Sequence, residues 1–232
     1  MRYSLTLLLI LLTISCSSDS PIEEITRACS EGDFLEIDGI AIIEMEKDSL
    51  PAGWLLNTEI DGYSGSGYIQ WNGSDNFGNP GIGTITYTIH IENPGTYRFN
   101  WRSRIGVGNN NTEHNDNWLK LSDADEFYAV KNGTSRVYPY GSGQTPNPEG
   151  AGSNGWFKVY MNTLRSWHWD ANTSDNDPHQ IYATFSSSGT YTLLVSGRSN
   201  GHAIDRMILR HDSVSDLAAQ SLALAPSICP GN

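Results

Sequence analysis

The chain has 232 residues, and its 26 acidic against 14 basic side chains give a formal net charge of −12. That balance argues against nucleic acid and against anionic membrane surfaces as partners, since both attract basic proteins. Twenty-three glycines, seven tryptophans and eleven tyrosines describe short strands, many turns and aromatic residues to spare, with one domain as the economical count.

Met1 and Arg2 precede an apolar run over residues 5–14, which ends at Ser15 and Cys16. A short charged start, an apolar stretch of ~7–15 residues and a small residue before the cut make a secretory signal peptide, here residues 1–15. The run is too short to span a bilayer as a helix, which takes roughly 20 apolar residues. Residues 16–30 then form a polar, acidic tether. Two cysteines remain, Cys29 and Cys229, one at each end of the exported chain. An oxidising compartment invites a disulfide between them; the alternative is two free thiols in frayed tails.

The next 180 or so residues carry strand signals and few helical ones. Residues 40–46 are β-rich and end in the alternating carboxylates Glu44 and Glu46. Residues 67–71 follow a Gly/Ser turn. Residues 84–91 alternate Ile85, Tyr87, Ile89 and Ile91 against Thr and His, the period-2 signature of a half-buried strand. Asn93-Pro94-Gly95 predicts a turn, and residues 96–103, with Tyr97, Phe99 and Trp101 alternating, read as the returning arm of a hairpin. Trp101 is expected in the core.

Residues 106–116 are a polar Asn/Gly-rich loop, followed by short strands over 117–121 and 126–131. The Gly/Pro-rich stretch 132–155 is too long for an idle connection. Strands resume at 156–160, and a loop then presents Trp167-His168-Trp169. Residues 180–185, 190–196 and 203–210 complete the strands, with Ser187-Ser188-Gly189 predicted to join the first two as a hairpin. Between the last two, Arg198, Asn200, His202 and Asp205 crowd a turn whose Gly197 and Gly201 supply backbone freedom. Residues 213–232 read as a tail with one or two helical turns around 216–224. About ten short strands with turns every ~8–12 residues predict an all-β fold, an antiparallel β-sandwich or jelly roll, over residues 31–212.

Cys16 after the cut resembles the lipobox cysteine of bacterial lipoproteins, with Thr13 in place of the usual leucine, and the acidic tether resembles the surface-export tethers of Bacteroidetes-type lipoproteins. That resemblance implies lipidation at Cys16, an outer-membrane lipoprotein on the cell surface or periplasmic face, and membrane contact through the lipid anchor alone. The order "GYSGSGYIQW", "ITYTIHIENPGTYRFNWRS", "GWFKVY", "GTYTLLVSGRS" and "AIDRMILR" resembles the β-sandwich carbohydrate-binding modules of families 6 and 35 over residues 40–210. The resemblance implies a polysaccharide or oligosaccharide ligand. It also implies a structural calcium held by Glu44, Glu46 and Asp205, which suits an ion that takes six to eight oxygens. By position it puts Tyr63 or Tyr68 and Trp156 on either side of a sugar ring. The family's asparagine before the last-strand aspartate is Ala203 here, so Asn200 and His202 stand in as candidates. Trp167 and Trp169 form a second candidate platform, since large rigid amphipathic rings bind at low entropy cost. Arg102, Arg104 and Arg198 are candidates for an acidic or sulfated sugar, or for pairing with the protein's own carboxylates.

Binding without cleavage, in which a lipid-anchored module presents glycan to degrading enzymes or transporters, is the function this pattern supports. A polysaccharide lyase or glycoside hydrolase on a jelly roll is the alternative. Loop acids such as Asp116, Asp123, Asp125, Glu149, Asp175 and Asp177 and the histidines His114, His168, His179 and His202 supply the residue types, without motif-grade spacing. A structural or adhesion lipoprotein is the third class.

Overall fold

The computed structural model describes residues 29–230. The lipidation residue Cys16, the signal peptide and most of the tether lie outside the described residues. Among those described, no helix is long and apolar enough to cross a membrane.

The fold is all-β. In chain order the strands are β1 (Phe34–Leu35), β2 (Ile40–Glu44), β3 (Trp54–Asn57), β4 (Tyr68–Trp71), β5 (Ile85–Ile91), β6 (Gly95–Ile105), β7 (Asp116–Lys120) and β8 (Glu126–Lys131). They continue with β9 (Ser135–Val137), β10 (Gly152–Ser153), β11 (Trp156–Tyr160), β12 (His168–Trp169), β13 (Asn172–Thr173), β14 (His179–Phe185), β15 (Gly189–Ser196) and β16 (His202–His211). A single helical turn, α1 (Asp216–Ala219), follows, with Ser215 as its N-cap. Hydrogen bonding runs without a break through β1-β5-β15-β7-β11-β13-β14-β6-β16-β4-β3, so one sheet curls over to form both layers of the sandwich. The pairings are antiparallel except for β1 with β5. The long alternating runs are the strands expected from sequence; the short pieces β1, β3, β9, β10, β12 and β13 gave no readable period.

Alternation places one face of each strand in a common core. Ile85, Tyr87, Ile89, Leu119, Phe157, Val159, Leu193 and Val195 come from one layer, and Phe99, Trp101, Ile181, Ala183, Met207 and Leu209 from the other. Trp101 is fully buried.

Both expected hairpins are absent. β5 pairs with β1 and β15, whereas β6 pairs with β14, β16 and β12, so residues 92–94 form an arch between layers. Likewise β14 and β15 are not partners. An arch and a hairpin need the same alternation and the same turn residues, and only the partner strand tells them apart. The first arch is held from below by Glu36, fully buried: its Oε2 accepts from the Glu92 and Asn93 amides at 3.1 and 2.9 Å, and the Tyr97 hydroxyl donates to the Asn93 carbonyl at 2.7 Å.

The tail is part of the domain. Arg98 and Arg210 both pair with Asp216 of α1, and Ala219 packs against Ile42 and Ile208 on the outer face. Cys29 and Cys229 form a disulfide, with Phe34 and Ile228 bridged beside it.

Candidate functional site

β16 is bonded to β6 along one edge and hands over from β4 to β2 along the other. At that point its register against β6 slips between Ile204 and Arg206, which makes Asp205 a bulge residue. A bulge re-aims its side chain. Asp205 and Arg206 both turn to the outer face, while Ile204 and Met207 return to the core.

Around this bulge the structure brings together Glu44, Glu46 and Asp205, with Ser64 between them. Ser64 Oγ lies 3.0 Å from Glu44 Oε2 and 3.2 Å from Asp205 Oδ1, and its amide donates to Asp205 Oδ1 at 2.8 Å. Arg102 pairs with Asp205 at 2.5 Å, and Arg206 pairs with Glu44. Glu46 Oε1 accepts from the Ser66 and Gly67 amides at 2.6 and 3.1 Å, while its Oε2 is buried without a partner. Burial is the main cause that raises the carboxyl pKa values of Glu46 and Asp205. Backbone amides oppose it in both, and Arg102 opposes it in Asp205.

As placed, Asp205 and Glu44 hold guanidinium groups, so a calcium ion here would have to displace Arg102 and Arg206 and draw on backbone carbonyls and water to reach six to eight oxygens. Among the described residues no group of three carboxylates, imidazoles or thiolates is arranged to hold a metal ion.

The expected sugar-binding aromatics do not all converge: Tyr63, Tyr68 and Trp167 cluster, and Trp156 and Trp169 lie apart from them. Tyr68 is fully buried, with Tyr63 at 6.0 Å and Trp167 at 5.0 Å between ring centroids. Trp167 donates to the Asp61 carbonyl and lies 5.5 Å from the Arg102 guanidinium, so it closes over the bulge cluster. Trp169 packs with Ile42, Ile208 and Ala219 under α1, so Trp167 and Trp169 form no common platform. Trp156 lies on β11, on the other layer, and is buried beside Lys120. Trp156 on β11 and Tyr68 on β4 thus stand on different layers, which does not match one sugar ring held between them.

His202 is also withdrawn. It is fully buried, 5.4 Å from the Trp101 ring, and its Nδ1 lies 2.9 Å from Asn117 Nδ2. The Arg198 amide donates to Asn117 Oδ1, which turns the Asn117 NH2 toward the imidazole. Nδ1 must therefore accept, and the ring is neutral; burial pushes its pKa down to about 3.

Arg198 does stand at an open site, whereas the Asn200 side chain donates to the Gly73 carbonyl behind it. Leu119, Phe157 and Val159 point into the core, so Asp116, Trp118, Lys120, Trp156, Lys158 and Tyr160 form the opposite face of β7 and β11. Two clefts of about 580 and 410 Å3 lie along this face and share Thr112, Asn115 and Lys158. The larger is bounded by Asp75, Phe77, His114, Asp116 and Arg198, and the smaller by Tyr160, Asn162, Asn172, Asp175 and Asn176. Together they make one polar groove.

Its wall is fixed. The Asn76 amide donates to the Arg198 carbonyl at 2.8 Å and the Trp118 indole to the Asn76 carbonyl at 3.0 Å. The Asn200 amide donates to Asp75 Oδ1 at 2.8 Å. Gly197 serves close approach, since a Cβ there would lie 2.2 Å from the Trp71 ring, whereas Gly201 adopts φ +88°. Arg198 pairs with Asp116 and lies over two rings, 4.9 Å from Phe77 and 5.1 Å from Trp118. Phe77 remains 57% exposed, so the guanidinium backs a ring that is open to a ligand. Nothing in the sequence singled out Phe77, a lone aromatic in a Gly/Asn loop.

Two of the groove's carboxylates, Asp116 and Asp175, both reach the Lys158 ammonium, at 3.7 and 2.5 Å, so this pair does not flank an open space of the kind a glycosidase needs between its two carboxyl groups. Tyr160 in the groove has its pKa pushed up to about 12, chiefly by burial and then by Asp175, which does not suit it to act as a base.

The architecture is thus an all-β curled sandwich with a rigid polar groove across one outer face. No family model matches the chain, and no curated protein matches it. Among solved structures it is similar to the Podospora anserina GH26-CBM35 β-(1,4)-mannanase, at 17% identity and a TM-score of 0.42 over 77% of this chain and 29% of that one. It therefore spans less than a third of that enzyme's length. It is also similar to CBM35 from Cellvibrio japonicus Abf62, at 14% identity and a TM-score of 0.41, covering 73% of this chain and 91% of that one. A CBM35 from Paenibacillus barcinonensis matches at 16% identity and a TM-score of 0.37, covering 74% of this chain and 98% of that one.

Proposed function

We propose that the protein binds polysaccharide or oligosaccharide without cleaving it, in the groove over β7 and β11. The observation that carries this reading is the combination at Phe77, Arg198 and the amides around them. Phe77 offers an open ring for the C–H face of a sugar. Asn115, Asn162, Asn172 and Asn176 line the smaller cleft; the Asn115 and Asn172 NH2 groups bond within the chain, which leaves the Asn176 amide and the remaining lone pairs for sugar hydroxyl groups. Sites that take small polar ligands combine a concave surface, an aromatic contact and a few well-placed polar groups.

In this proposal the lipobox-like cysteine and acidic tether anchor the chain at the outer membrane, where the module presents glycan to degrading enzymes or transporters. A glycan array probed with the purified protein tests the binding. At least one glycan class should be retained, and Phe77→Ala should weaken that binding about tenfold, the equivalent of one lost ring contact. An array without a single retained glycan overturns the proposal.

A further inference from the structure

Resting on that reading, we propose that the groove takes uncharged glycans and discriminates against uronate-bearing or sulfated ones. The groove's charge is the basis. Its lining carries four carboxylates, Asp75, Glu113, Asp116 and Asp175, against two cations, Lys158 and Arg198.

Both cations are already committed. Lys158 holds both oxygens of Asp175, at 2.5 and 2.7 Å, and reaches Asp116 at 3.7 Å. Arg198 donates through Nη1 to Asp116 and lies 4.9 Å from the Phe77 ring and 5.1 Å from the Trp118 ring. An acidic sugar would compete with Asp175 and Asp116 for these cations, and both carboxylates would stay in the groove. Asp75 and Glu113 are exposed at the rim and add repulsion before contact is made. The chain's net charge of −12 works in the same direction at longer range. A neutral sugar meets none of these costs. Its hydroxyls can use the Asn176 amide and the remaining lone pairs of the paired carboxylates. Of the two roles the sequence left open for Arg102 and Arg198, an acidic sugar or a carboxylate of the same chain, both take the second.

The test is affinity electrophoresis of the purified protein through neutral polymers (mannan, xylan, glucan) and acidic ones (polygalacturonate, alginate), at low and high salt. The expected result is retardation by at least one neutral polymer, with acidic polymers weaker by on the order of tenfold or more at low salt. Salt should narrow the gap, because exposed charges are screened. The double substitution Asp75→Asn/Glu113→Gln should raise the ratio of acidic to neutral affinity several-fold. Retention by an acidic polymer as strong as, or stronger than, by any neutral one overturns the inference and leaves glycan binding standing. Retention by an amino-sugar polymer alone also overturns it. Retention by no polymer overturns both the inference and the reading beneath it.

Discussion

His202 should make the protein's stability depend on pH in a way that a surface histidine would not. In the folded chain Nδ1 faces the Asn117 NH2 and the ring is fully buried, so a proton on Nδ1 would point at another donor in a water-free site. The folded pKa, about 3, lies well below the ordinary 6.5 of the unfolded chain. A depressed folded pKa gives a contribution that is complete above the unfolded value and is lost as the pH falls through the interval between the two. Each pH unit within that interval costs about 1.4 kcal/mol, so the loss between pH 7 and pH 5 is about 2 kcal/mol. Burial raises the carboxyl pKa values of Glu46, Asp170 and Asp205, which act with the opposite slope in acid. A comparison with His202→Gln cancels their effect. Denaturant unfolding at pH 7 and pH 5 should show wild type losing about 2 kcal/mol more than the variant over that interval. Equal losses would refute both the neutral buried imidazole and the placement of His202 inside the sandwich.

Three further outcomes follow from the packing. Removing the disulfide with Cys29→Ser/Cys229→Ser releases a loop of 200 residues, worth up to about 5 kcal/mol or a melting-temperature drop of roughly 10–20 °C, and an unchanged melting curve would contradict it. Arg102→Met strands the fully buried Asp205 carboxylate and should cost about 3–5 kcal/mol, with Arg102→Met/Asp205→Leu recovering most of it in chemical denaturation. Failure of the double variant to recover would show that the pair is not what couples the two residues. Excess chelator should leave the melting temperature where millimolar calcium leaves it, since a ligand bound only by the folded state must raise stability; a clear rise with calcium would reinstate a metal at Glu44, Glu46 and Asp205.

Much of this architecture was legible in the sequence where the period was long. The strands β5, β6, β14, β15 and β16 follow from alternation, and Trp101 follows from its place between Phe99 and the charged end of β6. Pairing was not legible, because residues 92–94 carry the same Pro-Gly turn chemistry whether the chain folds back beside its neighbour or arches across the core. The bulge at Asp205 did leave a trace. Ile204 and Met207 are both core residues three apart in a strand, which a strict period of two cannot satisfy. The site was the least legible part. A tryptophan in a polar loop looks the same whether it faces solvent or, like Trp169, lies under a helical turn that only the fold brings near. Phe77 owes its role to Arg198 and Trp118 behind it, residues far away in the chain.

The central claim is binding without cleavage in the groove over β7 and β11, and one gel experiment meets it directly. Wild type and Phe77→Ala are run side by side through the most retarding neutral polysaccharide, with reducing ends and unsaturated products assayed in parallel lanes. The account predicts retardation of wild type, weaker retardation of the variant, and no new ends or unsaturated products from either. New ends or unsaturated products from wild type would make the protein an enzyme, and equal retardation of the two proteins would place the glycan somewhere other than this groove.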